Sequence, residues 1–386
     1  MNDFVNNVFD QRLWASVPFS FWSAVFFVLG CMVGSFLNVC IHRMPLEQSV
    51  IHPGSHCPSC KYSIPWFLNL PLITWLYLRG KCANCGERIS VRYFLVELLT
   101  GATFMTAWIV FGPRSTGVAL VYCVVLAGFI VATFIDIEHI IIPDEITIGG
   151  MIAGFVLSVL VPELHNTPDR ALALKASFLG IAVGGGLVYL ILRGGKLAFG
   201  KEKLALPPES RLIFSETALR LPDKEIPYDE IFYRKSDRIQ LLAKTVELGD
   251  RCYWNKIVTL TPVQLTIGEE VLNPEQVPHM EIVTSEVILP REAMGFGDVK
   301  FMAAIGAFLG WQATIFSLML SAVLGTLVSL GAIAFRRVEW SSRIPYGPYI
   351  AVAAVVYMFL PTDLQAMWRD YLSIFGQILP GGLKRG

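Results

Sequence analysis

The segment Thr133-Phe-Ile-Asp-Ile-Glu-His-Ile-Ile-Ile-Pro-Asp144 decides the fold, because it ends a long apolar run with a carboxylate. The run begins near Thr116, and Asp136 lies where it meets polar residues. An acidic side chain at the end of a membrane helix is energetically costly and is therefore a candidate for function. A second acid, Asp298 in Met294-Gly-Phe-Gly-Asp-Val-Lys300, precedes another apolar run. The two carboxylates predict acid–base chemistry at a membrane-embedded site.

The composition of the chain is that of a polytopic membrane protein. Of its 386 residues, 54% are hydrophobic and 16% are charged, and the mean hydropathy is +0.55. Soluble domains carry about 25% charged residues. The formal net charge is zero, so no nucleic-acid partner is implied. Residues 1–18 are interpreted as an N-terminal segment, and no signal peptide is expected, because residues 1–20 show neither the basic start nor the cleavage site of one.

Eight apolar segments are candidates for transmembrane helices, since a helix needs about 20 mostly apolar residues to cross a bilayer. They are residues 19–41, 93–111, 116–135, 146–161, 171–192, 301–311, 313–335 and 348–360. The fold class predicted from this pattern is an all-α polytopic membrane protein with about eight transmembrane helices. Residues 361–386 follow the last segment and are interpreted as a C-terminal tail.

Basic residues in the short loops orient the predicted helices, because loops on the cytoplasmic side are rich in Lys and Arg. They concentrate in the loop of residues 42–92 and in the loop that holds Arg336, Arg337 and Arg343. Counting along the spans from these loops brings both Asp136 and Asp298 to the cytoplasmic side. The expected location is the inner (plasma) membrane, with the acids facing the cytoplasm.

Residues 194–294 predict a soluble domain inserted between the apolar segments 93–193 and 295–360. This insert holds nearly half of the chain's charged residues. Runs such as Lys256-Ile-Val-Thr-Leu-Thr-Pro-Val-Gln-Leu-Thr-Ile267 alternate with Gly, Asn, Asp and Pro, which is typical of strands and turns. The insert is therefore predicted to be β-rich and, from the orientation of the spans, cytoplasmic.

Four cysteines form two knuckles, Cys57-Pro-Ser-Cys60 and Cys82-Ala-Asn-Cys85. Two Cys-x-x-Cys knuckles at this separation are typical of a tetrahedral four-cysteine zinc site, and a closed four-thiolate shell is structural rather than catalytic. The reducing cytoplasm argues against two disulfides. A redox dithiol pair and an iron site, which uses similar ligands, remain as alternatives.

Several motifs taken together resemble the type IV prepilin peptidase family, membrane aspartyl proteases of the GxGD class. They occur in the expected order, with the cysteine knuckles between the first and the second: Gly34-Ser-Phe-Leu-Asn-Val-Cys-Ile-His-Arg-Met-Pro45, Glu97-Leu-Leu-Thr-Gly101, Ile135-Asp136 through Ile142-Pro-Asp144, Gly295-Phe-Gly-Asp-Val-Lys300 and Pro345-Tyr-Gly-Pro-Tyr349. The resemblance covers residues 19–193 and 295–360. The insert of about 100 residues stands where the family usually has a short loop.

The resemblance implies that Asp136 and Asp298 are the catalytic pair. The implied reaction removes the short basic leader from prepilins or type II secretion pseudopilins at the membrane face, so the implied partners are these substrates and membrane lipid. Two neighbouring carboxylates cannot both ionise cheaply, so one acts as a base on water and the other as an acid. Which acid is the base is left open, because such a pair titrates as a unit.

The resemblance also implies a second activity for many members, N-methylation of the new N-terminus with S-adenosylmethionine. Gly80 and Lys81, just before the second knuckle, are the candidate residues for that activity. The chain shows no independent motif for a methyl donor. Methylation and its cofactor are therefore expectations that rest on the resemblance alone.

Alternatives without catalysis exist for each acid and for the whole chain. Asp298 alone is compatible with a helix N-cap, and Asp136 alone with a polar helix end. A non-enzymatic transporter or assembly factor could use both acids, with the zinc loop as a docking module. A transporter would more naturally carry its acids near mid-membrane and show repeated halves, neither of which the sequence indicates.

Overall fold

The computed structural model describes residues 14, 16–199, 201–222, 224–228, 231–232, 237–249, 251–290, 295–334, 345–360 and 362–378. The chain forms two compact units, Met1–Tyr189 with Phe296–Gly386, and Leu190–Gly295. Arg336, Arg337 and Arg343, used above for orientation, lie outside the described residues, as does most of the segment 1–18.

Long runs of Leu, Ile, Val, Phe and Ala form the helices, and Gly, Pro and polar residues separate them. The helices of the described residues are α1 (Phe19–Arg43), α2 (Ile73–Tyr77), α3 (Val91–Phe111), α4 (Thr116–His139), α5 (Asp144–Leu160), α6 (Arg170–Phe199), α7 (Phe296–Leu309), α8 (Trp311–Ala334), α9 (Gly347–Phe359) and α10 (Thr362–Ile378). The last helix lies within the segment interpreted above as a tail.

Five of these helices, α1, α3, α4, α6 and α8, are long and apolar enough to cross a membrane by length and composition. A sixth span results if α9 and α10, which meet at a bend of 110°, are counted together. The predicted segments 146–161 and 301–311 form α5 and α7, which have 17 and 14 residues. A helical protein with several apolar spans is confirmed, and the count of eight stays a prediction.

The helix ends nearest the two acids differ from the apolar segments predicted from sequence. Helix α4 continues past residue 135 to His139, so Asp136 lies in its last turn. Helix α7 begins at Phe296 rather than at 301, so Asp298 lies in its first turn. Hydropathy marks where apolar residues stop, whereas the backbone hydrogen bonds of α4 continue until Ile140 adopts a left-handed φ of 55°. Both acids are therefore helical residues.

The helices around Asp136 share a buried apolar cluster. It contains Leu37 and Ile41 of α1, Val96 of α3, and Ile130 and Ile135 of α4. Helix α9 packs against α4 and α7, and α5 packs against α7. This packing brings together helices that are far apart in the sequence. Among them are α4 and α7, which carry Asp136 and Asp298.

The unit Leu190–Gly295 contains an eight-stranded sheet in the order β3-β2-β1-β8-β4-β5-β6-β7, with antiparallel pairs throughout. The strands are β1 (Lys201–Phe214), β2 (Ala218–Arg220), β3 (Glu225–Pro227), β4 (Ile239–Leu248), β5 (Arg251–Leu260), β6 (Leu265–Ile267), β7 (Glu270–Leu272) and β8 (Met280–Pro290). Alternate apolar residues point into one core, including Leu212, Leu241, Val258 and Ile282. The prediction of a β-rich insert is confirmed.

Candidate active site and metal centre

Asp136 is a buried carboxylate whose orientation is set by a distant backbone group. Its exposed fraction is 4%, although it lies one turn from the end of α4. The backbone N–H of Gly347, the first residue of α9, donates to its Oδ2 atom at 2.8 Å. A buried carboxylate requires such a partner, because burial removes the hydrogen bonds it would make to water.

Asp298 is equally buried, with an exposed fraction of 7% in the first turn of α7. The partial positive charge at a helix N-terminus stabilises a carboxylate there. Gly297 precedes it, and a Cβ atom added at Gly297 would lie 3.5 Å from Cβ of Ile142. The turn that carries Asp298 therefore packs against the segment that follows α4.

Ile142 connects the surroundings of the two acids. Besides its contact with Gly297, its Cδ1 atom would lie 3.2 Å from a Cβ atom added at Gly347, the residue that binds Asp136. Asp298 also acts on Tyr346, since burial first, and then the charge of Asp298, raise the pKa of that phenol. The structure thus brings Asp136 and Asp298, which the sequence separates widely, to the same end of α4, α7 and α9.

Two ion pairs involve other charged residues close in sequence to Asp136 and Asp298. The ammonium group of Lys300 binds the carboxylate of Asp144, joining α7 to the first turn of α5. The guanidinium of Arg92 binds the carboxylate of Glu138. Asp144 and Glu138 are therefore each paired with a neighbouring cation.

The four predicted cysteines form one cluster. Their Sγ atoms all lie within 4.8 Å of one another. The Sγ–Sγ distances are 3.9 Å for Cys57–Cys85 and 3.9 Å for Cys60–Cys82. Four thiolates at the zinc–sulfur distance of about 2.3 Å in a tetrahedron lie about 3.8 Å apart. The cluster therefore fits a tetrahedral metal ion such as zinc.

The two knuckles have the same backbone conformation. The N–H group of Lys61 donates to the carbonyl of Cys57 at 3.0 Å, and that of Gly86 donates to the carbonyl of Cys82 at 3.0 Å. Lys61 and Gly86 both have a left-handed φ, of 59° and 72°. Each tight turn presents two thiols on one side, which is why the four sulfurs meet.

Backbone N–H groups in the knuckles favour thiolates, the form that binds metal. The N–H of Tyr62 first, and then the Asn84 amide, lower the pKa of Cys60 to about 6. The N–H groups of Cys85 and Asn84 lower the pKa of Cys82. These donors favour the thiolate form of Cys60 and Cys82.

Buried charged residues attach the cysteine loop to the helices. The guanidinium of Arg43, at the end of α1, donates to the carbonyls of Ser49 at 3.0 Å and Gly54 at 3.4 Å. Glu97 of α3 is 8% exposed, and its Oε2 accepts the N–H of Leu72 at 2.8 Å. The loop is therefore held from two helices rather than tethered only by its ends.

Gly80 and Lys81 lie immediately before the second knuckle. Gly80 has a φ of 65°, and a Cβ atom there would lie 2.9 Å from the indole ring of Trp75. The N–H group of Gly80 donates to the carbonyl of Trp75 at 2.9 Å. The side chain of Lys81 is exposed. The local fold therefore requires glycine at position 80 and leaves Lys81 accessible.

Sequence reasoning assigned no role to the residues that hold the site of the two acids together, chiefly Gly347, Tyr346 and Ile142. The sequence identified the segment Pro345-Tyr-Gly-Pro-Tyr349 as a family motif but gave it no role. Its part in the site depends on the packing of α9 against α4, which no local pattern reports.

Two sequence profiles match the chain. One, described as the Bacterial Peptidase A24 N-terminal domain, matches residues 28–111, which include the four-cysteine loop. The other, described as the Type IV leader peptidase family, matches residues 123–207 and 275–330, which include both buried acids. Residues 208–274, within the unit that holds the β-sheet, lie outside both matches.

A prepilin leader peptidase/N-methyltransferase of Dichelobacter nodosus is 36% identical over 208 residues, which cover 69% of that protein and 46% of this chain. The chain belongs to the type IV leader peptidase family. Other relatives in the type IV leader peptidase family carry the same name. One from Myxococcus xanthus (strain DK1622) is 45% identical over 163 residues, 42% of this chain and 45% of the relative.

A third relative in the type IV leader peptidase family, from Aeromonas hydrophila, extends the similarity along most of the chain. It is 26% identical over 362 residues, which cover 87% of this chain and 90% of the relative. No solved structure matches the chain.

Proposed function

We propose that this protein is a membrane aspartyl endopeptidase that removes the leader peptide of prepilins, with Asp136 and Asp298 as its catalytic groups. The observation that carries the proposal is that Ile142 contacts both Gly297, which precedes the buried Asp298, and Gly347, whose N–H binds the buried Asp136. Burial of a carboxylate is costly, and enzymes use buried acids for proton transfer.

The proposed mechanism uses both acids in one proton cycle. One carboxylate takes a proton from a water molecule as the water oxygen attacks the scissile carbonyl carbon. The other, protonated, acid donates its proton to the carbonyl oxygen. The C–N bond of the tetrahedral intermediate then breaks: the amine leaves with the proton that the base had taken, and one hydroxyl of the intermediate returns its proton to the second carboxylate as the carbonyl re-forms.

The proposed substrates are prepilins, which the names of the relatives support, or type II secretion pseudopilins, which the family resemblance implies. We place the reaction at the cytoplasmic face of the inner membrane, because basic residues concentrate in the loop of residues 42–92. Membrane lipid is the proposed surrounding of the apolar spans. The proposal includes no nucleic-acid partner, since the net charge is zero.

A zinc ion held by Cys57, Cys60, Cys82 and Cys85 has a structural role in this proposal. A shell of four thiolates has no open position for water or substrate, unlike catalytic zinc sites. Glu97 and Arg43 fix the loop to the helices, so the metal would complete a rigid cytoplasmic element. The proton chemistry stays with the aspartates.

N-methylation of the new N-terminus is the second proposed activity, and the names of the relatives support it. S-adenosylmethionine would supply the methyl group. Gly80 and Lys81 are the proposed cofactor residues, since Lys81 is exposed beside the ordered knuckle. The indole ring of Trp75 packs against Gly80, so the conformation of the loop is fixed at this position.

Substitution of Gly80 tests this second activity. Gly80→Ala places a side chain in a left-handed conformation, at a cost of about 1–2 kcal/mol, and against Trp75. We expect strongly reduced methylation of a pre-cleaved pilin and retained cleavage of a prepilin, because the aspartates lie on α4 and α7 rather than in the cysteine loop. Lys81→Ala should reduce methylation without destabilising the loop. Mass spectrometry of both reactions provides the readout.

The matched control for Gly80 is Gly54→Ala, because a Cβ atom at Gly54 meets nothing within 4 Å. It should leave methylation and cleavage unchanged. Normal methylation by both Gly80→Ala and Lys81→Ala would remove these residues from the proposed cofactor site.

The β-sheet unit is proposed to be a docking or regulatory domain. The matched family profiles leave residues 208–274 uncovered, and the buried acids lie in the other unit. We expect that replacing residues 203–290 with a short Gly/Ser linker retains part of the proteolysis. Cleavage assays at matched membrane levels measure this. Complete loss of cleavage by a stably inserted deletion would show that the unit shapes the active site.

A prepilin cleavage assay on a gel tests the proposed function against the transporter alternative. Purified protein in detergent should shorten a prepilin without any membrane gradient, whereas a transporter would leave its length unchanged. The acids also lie at helix ends, in the last turn of α4 and the first turn of α7. The transporter is therefore not favoured.

A further inference from the structure

The turn before α9 contacts the site of the two acids without contributing an acid of its own. Gly347 is the first residue of α9, and Tyr346 precedes it as the N-cap residue without a capping hydrogen bond from its side chain. The first N–H groups of a helix have no acceptor within the helix. The Gly347 N–H instead finds Oδ2 of Asp136 at 2.8 Å, on a helix more than 200 residues earlier in the chain.

The same contact excludes any side chain at position 347. A Cβ atom there would lie 2.8 Å from Oδ2 and 3.2 Å from Cγ of Asp136. Real Cβ atoms do not approach an oxygen this closely, so the carboxylate or the turn would have to move. Glycine is therefore required by the position of Asp136 itself.

The turn is anchored on its other side. The hydroxyl of Tyr346 lies 3.0 Å from Oγ of Ser321 in α8. The Tyr346 ring lies 3.3 Å from a Cβ atom added at Gly325, one helical turn further along α8. Tyr346 is also the phenol on which the charge of Asp298 acts. The turn thus joins α8, Asp136 and the surroundings of Asp298.

We propose that Gly347 is a positioning residue of the active site, whose N–H group fixes Oδ2 of Asp136 and leaves Oδ1 to face the water and Asp298. This assignment builds on the proposed peptidase function, to which it adds a third segment of the catalytic machinery. A carboxylate free to rotate would present either oxygen in several orientations. A single backbone donor on a clamped turn selects one orientation before the substrate arrives.

Nuclear magnetic resonance can observe this one hydrogen bond, because Tyr346-Gly347 is the only Tyr-Gly pair in the sequence. Labelling tyrosine carbonyls with ¹³C and glycine amides with ¹⁵N leaves a single correlated amide signal, that of Gly347. We expect this signal to move with pH along the acid limb of the cleavage profile, and to lose that movement in Asp136→Asn. A signal indifferent to pH, or unaffected by Asp136→Asn, would overturn the assignment.

Steady-state kinetics provides a second test of the role of Gly347. Gly347→Ala should lower kcat by about 100-fold, the effect of a displacement near 1 Å, with KM changed by no more than about twofold. Gly149→Ala is the control, since a Cβ atom there meets nothing within 4 Å, and it should keep the wild-type kcat. A near-wild-type kcat for Gly347→Ala would contradict the assignment.

The magnetic resonance and kinetic experiments together distinguish failure of this inference from failure of the peptidase proposal. The amide signal reports the bond to Asp136 whether or not the protein cleaves a prepilin. If the signal titrates with pH but no prepilin is cleaved, only the peptidase proposal is rejected. If Gly347→Ala fails to insert into membranes, the amide titration of the wild-type protein decides the assignment by itself.

Discussion

Asp136→Asn and Asp298→Asn are each expected to abolish prepilin cleavage, lowering kcat by roughly 1,000-fold or more. Asparagine has nearly the shape of aspartate and keeps a carbonyl that can accept the Gly347 N–H. It cannot exchange the proton that activates water or protonates the scissile carbonyl. The loss should therefore occur without loss of the fold, which membrane level, thermal stability and zinc content measure.

The double variant distinguishes a catalytic pair from two independent acids. Residues that act as one unit are strongly non-additive, so Asp136→Asn combined with Asp298→Asn should be scarcely worse than either alone. Glu138→Gln and Asp144→Asn are matched controls, because both acids are paired with cations outside the buried site. These controls should retain most of the activity. Substantial cleavage by either single Asn variant at Asp136 or Asp298 would contradict the aspartyl mechanism.

Loss of one thiolate from the four-cysteine cluster is expected to have the second-largest effect. Cys57→Ser or Cys82→Ser leaves an incomplete ligand set, and binding of a structural metal is coupled to folding of its loop. Metal content should fall well below one zinc per chain, and the loop should become sensitive to protease. The aspartates should stay in place, because they lie on α4 and α7 within the packed helices.

Cys252→Ser is the matched control for the metal site. Cys252 is an exposed cysteine of β5, so the same substitution changes a thiol without touching the cluster. Its zinc content and protease resistance should equal those of the wild type. If the wild-type protein contained almost no metal while all four cluster cysteines were reduced, the zinc proposal would be wrong.

Residue type and spacing sufficed for the parts of the molecule that depend on local chemistry. Apolar runs predicted the long helices, since a helix that crosses a membrane must be apolar over most of its length. The repeated Cys-x-x-Cys pattern predicted the cluster, because each knuckle positions its own two thiols. The alternation of β-branched residues with turn residues predicted strands in the insert. The order of those strands depends on pairings between distant segments, which local patterns do not contain.

The candidate site shows where sequence reasoning stops. Asp136 and Asp298 could be singled out from the sequence because a carboxylate next to an apolar membrane segment is energetically costly, which makes it a candidate for function. The donor that orients Asp136 is a backbone N–H, which carries no signature in the residue type. The buried Glu97 poses the same difficulty, since its partner is the backbone of Leu72 rather than a basic side chain. Contacts of this kind emerge only from the packing of helices.

The most direct test of the central claim is the intact mass of a candidate prepilin after incubation with the purified protein in detergent. The wild-type protein should convert the precursor into a species shorter by its leader, and Asp136→Asn, prepared at the same zinc content, should leave the precursor mass unchanged. Precursor masses that stay unchanged with folded, zinc-loaded wild-type protein, across a panel of prepilins and pseudopilins, would contradict the peptidase assignment.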